Sequence, residues 1–282
     1  MEIIIASHAG FCFGVKRAIK TTYDTAEKAE GEVATLGPLI HNPQVVSRLE
    51  SMGVRPIENI LDFDGEALII RSHGVPASVV KTARDAGIKL VDATCPFVKK
   101  AQEYARQLKE EGCTVVIVGD KDHPEVQGLL SYAGDSALVA ADHQDLEGVR
   151  KVPKIGIIAQ TTTTFETFER IVRQCLRKAK EIRIYNTICD ATHVRQQEAQ
   201  EIARKVDLML VVGGRNSGNT TRLAELCGLT GTRTFHIETQ DEIDPFWFQD
   251  VKEVGITAGA STPEWIIEMV IERLNQISEK SG

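Results

Sequence analysis

Short runs of β-branched and other apolar residues alternate along the chain with longer stretches in which apolar positions recur at helical spacing. Strands and helices that alternate in this way are typical of α/β folds with mostly parallel sheets. The apolar runs predict strands at Glu2–Ala6, Val33–Leu36, Ala67–Arg71, Leu90–Asp92, Thr114–Val118, Lys154–Ala159, Arg183–Tyr185, Leu208–Val212, Thr234–Ile237 and Glu253–Thr257. The amphipathic stretches predict helices between most of them, among these Pro96–Glu111, Phe165–Lys180, Val194–Val206 and Pro263–Ser278.

A weak internal repeat accompanies this alternation. Cys12, Cys95 and Cys189 each follow a strand-like run and precede a helix-like run, at intervals that suit one small α/β module. We therefore predict three modules: residues 1–95, whose N-terminal strand can pack with the last module, residues 96–189, and residues 190–282. The three thiols lie at the carboxyl ends of strands, which is where open α/β sheets bind ligands.

Composition and net charge argue against some classes of function. The chain has 282 residues and a net charge of −7, which argues against a broad nucleic-acid or membrane-binding surface but allows a local basic pocket. No apolar run approaches the length of a membrane span, and we expect the N-terminal segment to be a strand rather than a signal peptide. We expect a cytoplasmic protein whose six cysteines are thiols, metal ligands or catalytic groups. We also expect a monomer, because no apolar heptad indicates an obligate dimer.

The three repeated cysteines fit a soft metal site. A helix N-terminus favours a thiolate, and three converging thiolates would bind a soft metal. Structural zinc usually takes close cysteine pairs, which are absent here, whereas an iron–sulfur cluster tolerates wide spacing. With three thiolates and four irons, one iron lacks a protein ligand. Three unrelated buried cysteines remain an equal alternative at this point, and packed positions are expected for the other three, Cys113, Cys175 and Cys227.

Three histidines occur in similar contexts. His41, His73 and His123 each follow a strand-like run and have a proline within three residues, so each should lie at a strand-to-helix turn. Such turns offer backbone N–H groups and a helix N-terminus, which favour an anion, and imidazole adds a donor. A single histidine of this kind is usually a hydrogen-bonded turn residue, but three of them can hold a diphosphate.

Polar loops follow later strands. The segment Gly213–Leu223, "GGRNSGNTTRL", suits a nest of backbone donors around an oxyanion but lacks the spacing of a P-loop. "AGAST" puts Ser261 at a helix N-terminus, and "AQTTTTFE" puts Gln160, Thr161 and Thr162 at a strand end. For any one of these residues, helix capping is the simpler explanation.

The best general-acid candidate is Glu125, two residues after His123 at a predicted helix start. Acidic residues are enriched in first helical turns for electrostatic reasons alone. If Glu125 lies in a dry environment, its pKa should rise, which would allow proton donation near neutral pH. Thr161 could pass the proton on through its hydroxyl.

Taken in order, these motifs resemble a known family. "GFCFGVKRA", "HNPQVV", "SHGVP", "DATCPFVKKA", "DHPEVQG", "QTTTT", "RNSGNT" and "AGASTPEW" are similar to the motifs of the LytB/IspH family of 4-hydroxy-3-methylbut-2-enyl diphosphate reductases, from residue 2 to about residue 270. The resemblance implies three pseudo-threefold-related α/β modules with mostly parallel sheets around a central cavity that holds an iron–sulfur cluster. It implies reductive removal of the substrate hydroxyl to give isopentenyl and dimethylallyl diphosphates, the last step of the methylerythritol phosphate route.

The resemblance also assigns roles to individual residues. It implies a [4Fe–4S] cluster on Cys12, Cys95 and Cys189, with one iron lacking a protein ligand, and an electron donor such as ferredoxin or flavodoxin. Glu125 matches the proton donor, assisted by Thr161. The positions that match the substrate's diphosphate are His41, His73, His123, Thr161, Thr162, Ser217, Asn219 and Ser261.

One departure from the family pattern is Gly218, where some relatives have serine; a backbone N–H could replace that hydroxyl.

Two other hypotheses about function compete with the reductase. A zinc hydrolase on three cysteines would contain zinc without sulfide. A redox sensor or phosphometabolite-binding module would bind its ligand without turnover.

Overall fold

The structure, a computed structural model, describes residues 1–281. Within them it has twelve strands: β1 (Glu2–Ile5), β2 (Val33–Leu36), β3 (Val54–Ile57), β4 (Ala67–Ile70), β5 (Leu90–Asp92), β6 (Thr114–Val118), β7 (Leu138–Ala140), β8 (Val152–Ala159), β9 (Ala179–Ile184), β10 (Leu208–Val212), β11 (Arg233–Ile237) and β12 (Glu253–Ala258). The same residues form nine α-helices: α1 (Phe13–Lys28), α2 (Pro43–Ser51), α3 (Ala77–Asp85), α4 (Pro96–Glu110), α5 (Pro124–Ala133), α6 (Phe165–Cys175), α7 (Asp190–Ala203), α8 (Gly218–Gly228) and α9 (Glu264–Ser281).

The strands form three four-stranded sheets in which every pairing is parallel. Their strand orders are β1-β12-β10-β11, β3-β2-β4-β5 and β7-β6-β8-β9. The central strands β2, β4 and β10 are buried along their whole length, because helices cover both faces of a parallel sheet. β4 and β10 are accordingly apolar throughout, and β2 has a single polar residue, the buried Thr35.

The described chain divides into two compact units. The first consists of Met1–Val15, Ile40–Ser47 and the chain from Asp190 onward, and it contains the sheet β1-β12-β10-β11. In it, β1 from the chain start pairs with β12, so that Glu2 lies opposite Glu253. The second unit consists of Lys16–Leu39 and Arg48–Cys189 and contains the other two sheets.

The α/β fold with three modules of parallel strands is confirmed. The module boundaries at residues 95 and 189 stay a prediction. Several predicted elements differ in their bounds by one to three residues, and the strand predicted over Arg183–Tyr185 is longer, running from Ala179 to Ile184. Two helices differ more. The helix predicted over Phe165–Lys180 ends at Cys175, because the chain then turns into β9, whose Ala179 pairs with Val152 of β8. The helix predicted from Val194 begins four residues earlier, at Asp190.

Two short strands, β3 and β7, were not predicted. Both lie at the edge of a sheet, and Pro56 within β3 is typical of an edge strand rather than a central one. Among residues 1–281, none of the helices combines the length and the apolar character that a membrane crossing requires.

Candidate active site

The three repeated cysteines all lie at helix starts. Cys12 immediately precedes α1, Cys95 is the N-cap of α4, and Cys189 immediately precedes α7. All three are half-buried. Pro96 at the first position of α4 suits a helix start, since a proline lacks the N–H that would have no partner there.

Each of these cysteines is anchored through its backbone to a loop that carries a predicted substrate-binding residue. The amide of Cys12 donates to Ala260 O at 3.1 Å, next to Ser261. The amide of Cys95 donates to Ser72 O at 2.9 Å, next to His73. The amide of Cys189 donates to Thr161 O at 3.0 Å, next to Thr162. A backbone hydrogen bond from a cysteine to a loop with a predicted substrate-binding residue therefore occurs three times.

The other three cysteines are packing residues, as predicted. Cys113, Cys175 and Cys227 are buried in three separate hydrophobic clusters. Burial raises the pKa of Cys175 to about 11 and that of Cys227 to about 12, and it also raises the pKa of Cys113. These thiols stay protonated at neutral pH and are poor metal ligands.

Glu125 is a buried carboxyl held by one residue. It lies in the first turn of α5 and is 1% exposed. The amide of Thr161 donates to Glu125 Oε1 at 2.7 Å, and the Thr161 hydroxyl donates to Oε2 at 2.9 Å. Burial raises the pKa of Glu125 to about 7, although both hydrogen bonds act in the opposite direction. A carboxyl with this pKa can hold and release a proton near neutral pH.

The imidazole of His123 is oriented by the same turn. His123 is the N-cap of α5, and its Nδ1 accepts a hydrogen bond from the amide of Glu125 at 3.1 Å. When neutral, His123 therefore carries its proton on Nε2, which makes that nitrogen a donor. The ring of His73, in the loop after β4, meets the His123 ring edge-on with centroids 5.5 Å apart.

Thr162 lies beside this group on the loop after β8. Gln160 Nε2 donates to Thr162 Oγ1 at 3.0 Å, and Gln160 Oε1 accepts from the amide of Asp120 at 3.0 Å. The second unit thus brings together five predicted site residues on neighbouring loops: His73, His123, Glu125, Thr161 and Thr162.

The first unit contains the other residues that are predicted to bind the diphosphate. Ser217 caps α8, and its hydroxyl lies 3.3 Å from that of Ser261, which also donates to His41 O at 3.2 Å. Asn219 is 4% exposed, and both polar atoms of its amide lack a hydrogen-bond partner among the described residues. Buried polar atoms are almost always paired, so this amide is suited to a ligand.

A glycine allows this close packing. A Cβ on Gly214 would lie only 2.5 Å from His41 O, so any larger residue there would push the His41 and Ser217 loops apart. Gly218, the departure from the family pattern, is the first residue of α8. The N–H at such a position has no partner within the helix and can bond an anion.

Comparison with known proteins agrees with this geometry. The family model described as LytB protein matches residues 3–275. The chain belongs to the LytB protein family. The 4-hydroxy-3-methylbut-2-enyl diphosphate reductases of Geobacter sulfurreducens and Syntrophotalea carbinolica are 53% and 55% identical to it, over 99% of this chain and 99% and 100% of theirs.

Two solved structures are similar to this LytB chain. One is an (E)-4-hydroxy-3-methyl-but-2-enyl diphosphate reductase described as the terminal enzyme of the non-mevalonate pathway; it is 46% identical, with a TM-score of 0.72 over 98% of this chain and all of the other. The second, an E-1-hydroxy-2-methyl-but-2-enyl-4-diphosphate reductase from Plasmodium falciparum, is 27% identical, with a TM-score of 0.91 over 98% of this chain and 87% of the other.

The donor set of this LytB chain fits a cluster with three thiolate ligands. The six cysteines, all within the described residues, form no disulfide. Only the three at helix starts are half-buried, whereas the other three are packed among apolar side chains with raised pKa values. Thiolates at helix N-termini are the soft ligands that iron–sulfur clusters use.

Sequence reasoning missed two residues near the Cys12 loop. Arg195 of α7 donates to Gly10 O at 2.7 Å, and Glu198 accepts from the amides of Ser7 and His8. The available signal was their spacing: residues three apart on a helix share a face.

Proposed function

We propose that this LytB-family chain is a 4-hydroxy-3-methylbut-2-enyl diphosphate reductase that produces isopentenyl and dimethylallyl diphosphates. The reaction replaces the substrate's allylic hydroxyl with hydrogen, consuming two electrons and two protons and releasing water. The observation that carries the proposal is Glu125, a buried carboxyl with a pKa of about 7 that is held by Thr161. Thr161 O in turn accepts a hydrogen bond from Cys189, a proposed cluster ligand.

The proposed cofactor is a [4Fe–4S] cluster on Cys12, Cys95 and Cys189. When bound, the cluster supplies electrons and one iron without a protein ligand. Glu125 supplies a proton to the leaving hydroxyl, and its pKa near neutrality leaves it partly protonated in the resting enzyme. The Thr161 hydroxyl, 2.9 Å from Glu125 Oε2, passes the proton onward and holds the carboxyl in one orientation.

Diphosphate binding is assigned to two sets of donors. One set is His73, His123 and Thr162; Nδ1 of His123 already accepts a hydrogen bond, which directs its Nε2–H to the ligand. The other set is His41, Ser217, Asn219 and Ser261, together with the amides at the start of α8. Neutral donors and helix N-termini bind an anion without a basic surface, which agrees with the net charge of −7.

The electron donor, the oligomeric state and the cellular location are also part of the proposed function. The electrons come from a small reduced carrier such as a ferredoxin or flavodoxin, the donor that the resemblance to the family implies. We propose that the chain acts as a monomer in the cytoplasm, where thiols persist. Neither nucleic acid nor membrane has a part in the reaction.

The deciding experiment measures iron, acid-labile sulfide and zinc in protein purified without oxygen, followed by turnover of the hydroxylated substrate. The expected result is iron and sulfide in equal amounts, near four of each per chain, together with reduction of the substrate and release of water. Zinc without sulfide would favour a hydrolase instead. A cluster with substrate binding but no turnover under reducing conditions would favour a redox sensor.

A further inference from the structure

A groove in the second unit is separate from the predicted site residues, none of which lines it. Strands β4 and β5 and helices α3, α4 and α5 surround it. Four aliphatic side chains form its apolar floor: Ile70, Val80, Ile88 and Leu90. The groove encloses about 530 Å³, within the range of about 300–1,000 Å³ that is typical of small-molecule sites. An apolar space of this size can hold the hydrocarbon part of a ligand.

Two polar side chains of the groove have no hydrogen-bond partner within residues 1–281. Gln102 of α4 is 9% exposed, and its amide bonds to no other described residue. The hydroxyl of Tyr132, a half-buried residue of α5, likewise has no partner among these residues. Buried polar groups almost always have partners, so both side chains are suited to a ligand in the groove.

The acidic side chains of the groove are each paired with a lysine of α4. Lys99 Nζ lies 2.6 Å from a carboxylate oxygen of Asp92, and Lys100 Nζ lies 3.1 Å from one of Glu103. Because each acid is neutralised by its lysine, neither of them adds a net negative charge to the groove.

Two arginines therefore set the charge of the groove. Arg84 of α3 and Arg106 of α4 are exposed and form no ion pair within the described chain. Burial and the Asp92 carboxylate raise the pKa of Tyr132, whereas both arginines lower it, so both positive charges act on the same hydroxyl. The open side of the groove thus suits a phosphate group, whose oxygens a guanidinium binds in bidentate geometry.

Gln102 connects the groove to the loop of His73. Its Nε2 lies 2.5 Å from the position that a Cβ on Gly74, the residue after His73, would occupy. Helix α4, which carries Gln102 and Arg106, begins directly after Cys95. A ligand in the groove would therefore contact a side chain that packs against the loop of a proposed substrate-binding histidine.

We propose that this groove is a second diphosphate site, which binds an isoprenoid diphosphate with a longer hydrocarbon chain than the proposed products. Arg84 and Arg106 hold the diphosphate, Gln102 and Tyr132 donate hydrogen bonds to its oxygens, and the aliphatic floor covers the chain. The choice of ligand class rests on the proposed function, because longer isoprenoid diphosphates are built by condensing the products that this function assigns to the chain.

The test is calorimetric titration of the full chain, purified without oxygen, with geranyl diphosphate. Arg84→Met and Arg106→Met each remove one charge from an exposed position, where substitutions rarely affect folding. Arg204→Met is the matched control, because Arg204 is an exposed arginine that follows α7 and lies outside the groove. Asn219→Leu reports on the proposed active site instead, since Asn219 belongs to the first unit.

Arg84→Met and Arg106→Met should each bind geranyl diphosphate roughly 10-fold or more weakly than the wild type, the usual effect of losing a hydrogen bond to a charged group. Arg204→Met and Asn219→Leu should retain the wild-type binding event. Inorganic diphosphate should bind the wild type at least about 10-fold more weakly than geranyl diphosphate, because it buries no apolar surface.

The proposal is overturned if the wild type does not bind geranyl diphosphate, or if both Arg84→Met and Arg106→Met bind it with unchanged affinity. Loss of binding in Asn219→Leu alone would place the ligand in the active site and also overturn it. Equal affinities for inorganic and geranyl diphosphate would refute the isoprenoid ligand. The proposed function fails separately, if protein that binds geranyl diphosphate in the groove holds no iron or does not reduce its substrate.

Discussion

Thr161 holds the carboxyl of Glu125 with both its backbone and its side chain, through hydrogen bonds of 2.7 and 2.9 Å that join residues 36 apart in sequence. The carbonyl of Thr161 accepts a third bond, from the amide of Cys189. One threonine therefore connects the proposed proton donor to the backbone of a proposed cluster ligand. The role of Glu125 can therefore be tested by substituting Glu125 itself or Thr161.

Glu125→Gln should abolish proton donation while keeping the size and packing of the side chain. We expect turnover to fall by roughly 10²–10⁴-fold, the usual contribution of a general acid, with iron and sulfide content unchanged. Steady-state reduction assays with a chemical electron donor measure this, and Glu169→Gln on the surface of α6 is the control. Full turnover in Glu125→Gln would show that the proton comes from elsewhere.

The raised pKa of Glu125 also predicts how stability changes with pH. Below the ordinary value of 4.5 the carboxyl is protonated in both states, so it has no effect. As pH rises toward 7, the unfolded chain loses the proton first, and the folded state loses about 3 kcal/mol of relative stability by pH 8.

Glu125→Gln removes this ionisation. Its melting temperature relative to wild type should therefore rise between pH 5 and pH 8, as measured by calorimetry under argon on cluster-containing protein. Glu169→Gln, on the exposed face of α6, should show no such trend. A constant difference between Glu125→Gln and wild type across this range would mean that Glu125 is ionised in the folded protein.

Thr161→Val should shift the pH dependence of kcat to higher pH. The Thr161 hydroxyl lowers the pKa of Glu125, so its removal should raise that pKa further, while the backbone bond remains. Because the donor must be protonated, the alkaline limb of the kcat profile should shift to higher pH and the plateau should fall. Thr163→Val is the control, since its hydroxyl donates to Val118 O and not to Glu125. An unshifted limb would contradict the coupling between the two residues.

Substitution of the cysteines should separate ligands from packing residues. Cys189→Ala removes a proposed ligand at a helix start, so we expect loss of the cluster's visible absorbance and of its iron. Cys175→Ala changes a thiol buried among apolar side chains and should keep the cluster, with a modest loss of stability. The reverse outcome would show that the ligand set is wrong. Anaerobic absorption spectra and iron analysis of both variants decide between them.

Asn219→Leu should weaken substrate binding without destabilising the protein. Both polar atoms of this buried amide lack partners within the described chain, so an apolar residue of similar size costs nothing in the free enzyme. We expect KM to rise roughly 10-fold or more, the cost of losing one or two hydrogen bonds to a charged group, and the melting temperature to hold or rise. Asn59→Leu, on an exposed turn, is the control for KM. A destabilised variant with normal KM would assign Asn219 a purely structural role.

The sequence by itself determined the elements whose burial is uniform. Short runs rich in β-branched and other apolar residues, such as Leu208–Val212 and Thr114–Val118, are typical of buried strands, and these two strands were predicted with their observed bounds. The order of motifs likewise indicated the family and the residue types of the site. The strands are readable because local composition specifies them, whereas the family follows from the resemblance of the motifs to those of known proteins.

The tertiary structure decided what depends on partners distant in sequence. Whether "LRKAKEI" continues α6 or begins β9 depends on pairing with β8, and the short edge strand β7 is stabilised from one side only. The burial that raises the pKa of Glu125 and the bond from Arg195 to Gly10, 185 residues away, are also products of packing. Burial and long-range hydrogen bonds arise only once the chain has folded, because they depend on which residues become neighbours in space.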